Sequence, residues 1–190
     1  NPYGEVVAEN YNGIATVNGH SYAEKRTQNT NFALLVSEKF TEPFKEPIAY
    51  GQHVARLANM LSGGILVQRF GDLLDGRRST PDRIKASIIT PTLQCATPGD
   101  LSLVLPYRQM TAIIEMLQAL DKIAPGVASR YTLLYGIEVK FYSGRVKLTK
   151  ELETEQVKNL FTIGDGAGVT RGLIQASASG VHAARVICSR

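Results

Sequence analysis

Hydrophobic and polar positions alternate at the start of the chain and later switch to a longer period. Residues 4 to 19, GEVVAENYNGIATVNG, hold two apolar runs, Val6-Val7 and Ile14 to Val17, on either side of Asn12-Gly13. Asn-Gly between two such runs signals a two-residue hairpin turn, because both positions tolerate positive φ. Asn18-Gly19 marks a second turn, and NFALLV, Asn31 to Val36, predicts a third strand. Pro43 and Pro47 punctuate a loop. Beyond them Val54, Leu57, Ala58 and Leu61 recur at the spacing of one helical face, and Gly63-Gly64 is a suitable stop.

Residues 71 to 100 read as irregular, with Gly71, Gly76, Pro81, Pro91, Pro98 and Gly99. Only short pieces of structure are expected there, with Thr97 of TPGDL capping a short helix. The strongest helical stripe follows: Met110, Ile113, Ile114, Leu117, Leu120 and Ala124, ended by Pro125-Gly126. YTLLYGIEVKFYSGRVKL then predicts two or three strands, with Tyr131, Tyr135 and Tyr142 in the sheet and their hydroxyls outward. NLFTI reads as a buried strand and Arg171 to Ile187 as a helix. Strand and helix do not alternate cleanly, so a complete doubly wound fold is not expected. The order implies an α+β fold: a mixed-sheet body with two main helices, then a strand–glycine loop–helix element of an incomplete Rossmann-like, dinucleotide-binding domain. The boundary is expected near Leu148, giving residues 1–148 and 149–190.

Composition narrows the class. The 190 residues are 44% apolar and 20% charged, which are globular values. No apolar run approaches the length of a membrane span. The net charge of +4 permits an anionic ligand without demanding nucleic acid. An RNA-binding role rests on that charge alone, and the aromatic platform of such modules is missing. Cys95 and Cys188 are far apart and lack metal-type spacing, as expected of thiols in a reducing cytoplasm. The start at Asn1 carries neither a basic nor an apolar leader pattern, so no targeting segment is expected.

The candidate chemistry lies in NLFTIGDGAGVTRG, Asn159 to Gly172. Glycines this dense let backbone approach a ligand, and a helix opening beside them offers unpaired N–H groups and the positive end of its dipole. Asp165 supplies a carboxylate suited to hydroxyls, and Gly172, Ala176 and Gly180 fall four apart, a face for close packing. These features fit a sugar-phosphate ligand, as in a non-catalytic nucleotide-binding module. They also fit a tight turn with close helix packing and no ligand. No Gly-Lys-Ser/Thr is present, which excludes a Walker-type loop.

The stretch TEQVKNLFTIGDGAGVTRGLIQASASGVHAAR resembles the carboxyl-terminal flavin motif of FAD-dependent dehydrogenases of the NAD(FAD)-utilising type. NPYGEVVAENYNGIATVNGHSY with NTNFALLV, and APGVASRYTLLYGIEVKFYSGRV, are similar to the middle of those proteins, so the resemblance covers nearly the whole chain. It implies that Asp165 holds the ribityl chain of FAD. Gly164, Gly166, Ala167 and Gly168 then pass close to the pyrophosphate and ribityl groups. Gly172, Leu173 and Ile174 face the N1–C2=O edge of the flavin. Arg171 is expected, on a separate ground, to face an anionic ligand or the reduced ring, because its charge opposes the helix dipole there. The resemblance further implies a small-molecule substrate and NAD(P)H as partners, and a cytoplasmic setting.

One departure matters. Such proteins bind the ADP half of FAD with a strand, Gly-x-Gly-x-x-Gly and a helix, and no such element occurs here. SGGILVQRFG has mismatched glycines and no helix is expected after it. The chain is therefore expected to be the inserted middle domain plus the last flavin-contacting element of a longer parent. It would need the parent's amino-terminal ADP-binding part as partner, and bind FAD weakly or not at all by itself.

Other candidates are weaker. His20, His53 and His182 have no ligand spacing, and no Gly-x-Ser-x-Gly elbow is present, so neither a metal site nor a catalytic residue is assigned. Arg69, Arg77, Arg78, Arg83 and Lys85 against Asp72, Asp75 and Asp82 read as a solvated loop, or as a route for an anionic substrate. Asn29 and Asn31 are open to substrate contact or to turn capping.

Overall fold

In a computed structural model, which describes residues 1–139 and 144–190, the chain forms two compact units, Asn1–Val139 and Lys140–Arg190. The architecture is α+β, with two small sheets and several helices.

The first unit opens with the hairpin. Strands β1 (Glu5–Tyr11) and β2 (Ile14–His20) pair antiparallel, with Tyr11 opposite Ile14. Asn12 and Gly13 both adopt positive φ, 53° and 83°, the geometry whose twist matches the strands. The Asn10 side chain accepts the Gly13 N–H at 2.8 Å. Ile14, Thr16 and Val17 are buried.

Helix α1 (Pro47–Ser62) starts with proline at its first position and ends where Gly63 enters the left-handed region. Its innermost residues are Ala55 and Ala58, while Leu61 of the expected stripe is exposed. Small residues on that face let the helix lie close to its neighbours. Asn59 makes the join specific. Its amide accepts from Ala15 N–H at 2.8 Å, and donates to the carbonyls of Ala15 at 2.8 Å and Gly64 at 2.9 Å.

A three-stranded sheet forms the centre, in the order β4-β3-β5. Strand β3 (Leu66–Arg69) runs parallel to β4 (Thr97–Pro98) and antiparallel to β5 (Leu133–Gly136). Helices α2 (Phe70–Leu74) and α3 (Pro81–Lys85) follow β3 directly. Helix α4 (Tyr107–Asp121) turns Met110 and Leu117 into a core with Leu66, Phe70, Leu73, Leu101 and Val104. Complete burial of a side chain the size of Leu117 contributes about 2 kcal/mol.

Several expectations change. Residues 31–36 form no strand, because the neighbouring backbone is already committed: Gly4 N–H donates to Asn29 O and Asn31 N–H to Asn1 O. The Asn31 amide donates to Glu5 O and the Asn29 amide to Thr90 O, so both are tied to backbone. Thr97 belongs to β4, and the cap of the turn at Leu101–Leu103 is Asp100, which accepts from Ser102 N–H at 2.9 Å. A helix does open after SGGILVQR, but Gly63-Gly64 precede the strand instead of following it, the reverse of a dinucleotide loop. Among its described residues, the region expected to hold two or three strands contributes β5 alone as a named strand, with Leu148 in an isolated bridge; Tyr142 lies outside the described residues. The Tyr135 hydroxyl is buried, not outward. The arginine-rich arm is solvated at Asp75, Arg77, Arg78, Asp82 and Lys85, but Asp72 departs from that reading: it is 1% exposed and held by Ser79 Oγ at 2.8 Å and Arg77 Nε at 3.1 Å.

The second unit is a run of turns closed by helix α5 (Leu173–Cys188). NLFTI forms no continuous strand. It contributes one isolated bridge, Phe161 to Glu153, and both Leu160 and Ile163 are exposed. Arg190 gathers this region: it bonds Glu153, reaches Glu151 at 3.4 Å and Asn159 Oδ1 at 3.1 Å, and stacks 4.9 Å from the Phe161 ring. The bond from Arg190, then that from Asn159 N–H, hold the Glu153 carboxyl below its usual range.

Two outcomes follow from these ties. Asn59→Ala removes three hydrogen bonds and leaves Ala15 partly unsatisfied, so it should cost about 1–3 kcal/mol, read as a lower urea midpoint at unchanged slope. Glu153 has a depressed folded pKa, so its contribution is present above the unfolded carboxylate value and is lost as pH falls through the folded one. Carboxyl NMR titration should find Glu153 below about 4.3, and Arg190→Ala should move it back toward that value.

Candidate functional site

Residues 164 to 174 form one continuous surface feature of the second unit, built against α5. The turn at Asp165–Ala167 is flanked by Gly164 (φ 74°) and Gly168 (φ 68°), conformations that favour glycine. Its own backbone closes it, with Gly168 N–H donating to Asp165 O at 3.0 Å and Val169 N–H to Gly164 O at 3.3 Å.

Two side chains fix the loop to the helix. Ser179 is buried; its Oγ accepts the Gly164 N–H at 3.0 Å and donates to Ala176 O at 2.7 Å. Asp165 Oδ1 accepts from Thr170 Oγ1 at 2.5 Å and from Gly172 N–H at 3.2 Å, so the carboxylate spans the loop to the residue where α5 begins. Ser179 and Thr170 are not evident from the motif. Ser179 is the third residue after Ala176 on the small-residue face, which is the spacing that would have singled it out.

The small-residue face packs as its spacing implies. A Cβ on Gly164 would lie 3.8 Å from Ala176 Cβ, and one on Gly180 would lie 3.6 Å from Ile163 Cδ1. Gly168 is tighter, since a Cβ there would stand 3.0 Å from the Arg145 backbone. Gly166 differs from all of these. Among the described residues, a Cβ on Gly166 would meet nothing within 4 Å. Packing among the described residues therefore does not require its bare backbone.

The entrance to α5 has the character expected beside a nucleotide. No side chain caps the helix, and no acidic residue occupies its first turn. Leu173 and Ile174 are 87% and 80% exposed, an apolar pair at the mouth of the loop. Arg171 is exposed at the same end. The Oγ1 of Thr162, two residues before the loop, is buried without a hydrogen-bond partner. An open glycine, an uncapped helix dipole and an exposed apolar pair together fit the pyrophosphate, ribityl and ring portions of FAD. The nine residues singled out from the sequence, Gly164, Asp165, Gly166, Ala167, Gly168, Arg171, Gly172, Leu173 and Ile174, lie in this one segment with Val169 and Thr170 between them.

Among the described residues no helix is long and apolar enough to cross a membrane, and no group of three His, Cys, Asp or Glu stands ready for a metal ion.

Comparison with known proteins bears on the family of the chain, and the family match lies outside this loop. A protein of Clostridium beijerinckii, itself described only as uncharacterised, is 31% identical over 196 aligned positions, which take in 97% of this chain. The chain spans about a third (36%) of that relative's length. The family model described as FAD-dependent protein, C-terminal domain-like matches residues 2–141, most of the chain and nearly all of the first unit. FAD is thus the cofactor of the parent protein, and this chain belongs to the FAD-dependent protein, C-terminal domain-like family.

Proposed function

We propose that this chain is part of an FAD-dependent oxidoreductase of the dehydrogenase type. The first unit serves as its substrate-side domain, and the loop from Gly164 to Ile174 serves as one wall of the flavin site. The observation that carries this reading is Gly166, left bare in a loop whose other glycines are accounted for by conformation or packing. FAD, when bound, supplies the two-electron hydride chemistry.

The residues of this chain bind and orient. Gly164, Gly166, Ala167 and Gly168 allow close approach of the pyrophosphate and ribityl groups. Asp165, fixed by Thr170 and Gly172, presents its carboxylate to ribityl hydroxyls. Leu173 and Ile174 exclude water from one edge of the ring, while the α5 dipole and Arg171 favour negative charge there. No acid or base of this chain is assigned a role in proton transfer. The partners are a small-molecule substrate, NAD(P)H, and a separate ADP-binding segment of the parent. Cys95 and Cys188, both free and exposed, support a reducing, cytoplasmic setting.

The 190-residue chain has no second dinucleotide element, so most of FAD would remain in water while the loop bore the ordering cost. It should purify colourless and bind FAD weakly, whereas the parent should be yellow. In the parent, Gly166→Ala is the discriminating change. It should leave the melting temperature of the apoprotein within about 2 °C, because the added methyl meets no atom of the described residues. It should weaken FAD roughly tenfold or more in a fluorescence titration. Asp165→Ala should weaken FAD about ten- to a hundredfold, the worth of hydrogen bonds to a charged group. Unchanged affinity in Gly166→Ala would remove the loop from the flavin site. Tight binding by the isolated chain would sink the need for a second segment, and failure of NAD(P)H to bleach the bound flavin would remove the nicotinamide donor.

A further inference from the structure

Helix α4 buries one face and leaves a second apolar stripe in solvent. Met110 and Leu117 are buried, with Ile113 and Ile114 packed beside them. Ala112, Met116 and Ala119 lie on the outer side and are exposed, Met116 by 50%. Ile123 extends the stripe just past the helix and is 81% exposed. It stays in helical register, because Lys122 keeps right-handed dihedrals and the N–H groups of Ile123 and Ala124 both donate to Leu120 O, at 3.0 and 2.8 Å. From Ala112 the stripe advances by four, three and four residues, the spacing of a seam between two paired helices. Exposed apolar residues scattered singly need no account, but four at this spacing form one continuous stripe.

The stripe is complementary to itself in shape. It alternates small and large, Ala-Met-Ala-Ile, so a second copy laid antiparallel sets Ala112 opposite Ile123 and Met116 opposite Ala119, and both pairs recur by symmetry. Each large side chain then meets an alanine, and the layers fill evenly. Laid parallel, alanine would face alanine and methionine would face methionine, leaving layers alternately empty and crowded. Charge agrees with shape. Glu115 and Lys122 are exposed, flank the same edge of the stripe seven residues apart, and have no ion-pair partner among the described residues. In an antiparallel pair each edge meets the same edge of its partner, which brings Glu115 against Lys122 of the second copy, twice. In a parallel pair it would meet the other edge, that of Ile113 and Leu120, where neither charge is matched.

We propose that α4 is a contact surface for a second copy of this chain, paired antiparallel about a twofold axis that passes between Met116 and Ala119. The surface belongs to the first unit and goes beyond the flavin reading of the second; neither depends on the other. Four layers make a small contact, so the dimer is weak and forms by mass action.

Sedimentation equilibrium of the 190-residue chain, from about 5 to about 500 µM, should show a reversible monomer–dimer equilibrium. Met116→Lys, at a position half in solvent, should leave the melting temperature of the dilute chain within about 2 °C and abolish the dimer over this range. Glu115→Lys and Lys122→Glu should each weaken dimerisation about tenfold, because two attractions become two repulsions. Combined, they exchange the charges and should recover the original affinity to within about threefold. That recovery requires a second copy in this orientation, and association through the exposed Leu173 and Ile174 would not show it. A chain that stays monomeric throughout leaves the stripe to a different protein and overturns the proposal. So does a dimer indifferent to Met116→Lys or to the single charge reversals, or a double variant no tighter than the single ones.

Discussion

The first unit depends on one buried amide. Strands β4, β3 and β5 have two, four and four residues, too few for ladder bonds to anchor the 37-residue arm, 70–106, between β3 and α4. Gln68, wholly buried in β3, does what the ladder cannot. Its Nε2 donates to Arg77 O at 2.9 Å and to Asp100 Oδ1 at 3.3 Å, and its Oε1 accepts the Leu101 N–H at 2.8 Å. One side chain thus ties the strand to both ends of the arm. Asp72 and Ser79 extend the network, with Ser79 Oγ also accepting the Arg69 N–H at 2.8 Å. Buried polar groups of this kind are expensive unless satisfied, and once satisfied they specify a single arrangement.

That arrangement divides the sheet into two unlike faces. On the Gln68 side the polar atoms are paired and the apolar residues are packed. On the Val67 side Arg69 Nε and Tyr135 Oη remain buried without acceptors. Native structures leave few such groups, and those left tend to mark places where function outweighs stability. The contrast arises within single strands, because alternate residues of β3 and β5 serve opposite purposes.

The second unit uses side chains in the same way, with glycine in the complementary part. Its loop has no ladder to lean on, so Ser179 and Asp165 hold its backbone from the side. Gly164 is set by φ, Gly168 by φ and by the nearness of Arg145, and Gly166 by neither. Of these three alternating glycines, two are thus fixed by backbone conformation and one is not.

Local chemistry was legible in the sequence wherever it was decided by neighbours along the chain. Asn12-Gly13 determined the hairpin, Gly63 the end of α1, the Met110 and Leu117 stripe the inward face of α4, and the small-residue spacing of Ala176 and Gly180 the packing of α5. Apolar runs were less reliable guides, because Phe32 to Val36 and Leu160 to Ile163 have strand composition, yet the backbone they would pair with is bonded elsewhere. Which glycine is bare by necessity, that Asn59 and Gln68 are structural ties, and that Tyr135 and Arg69 share a face were decided only by tertiary structure. Each depends on what lies across space from a residue, and an amide, a phenol or a glycine looks the same in sequence whether that place holds a partner or none.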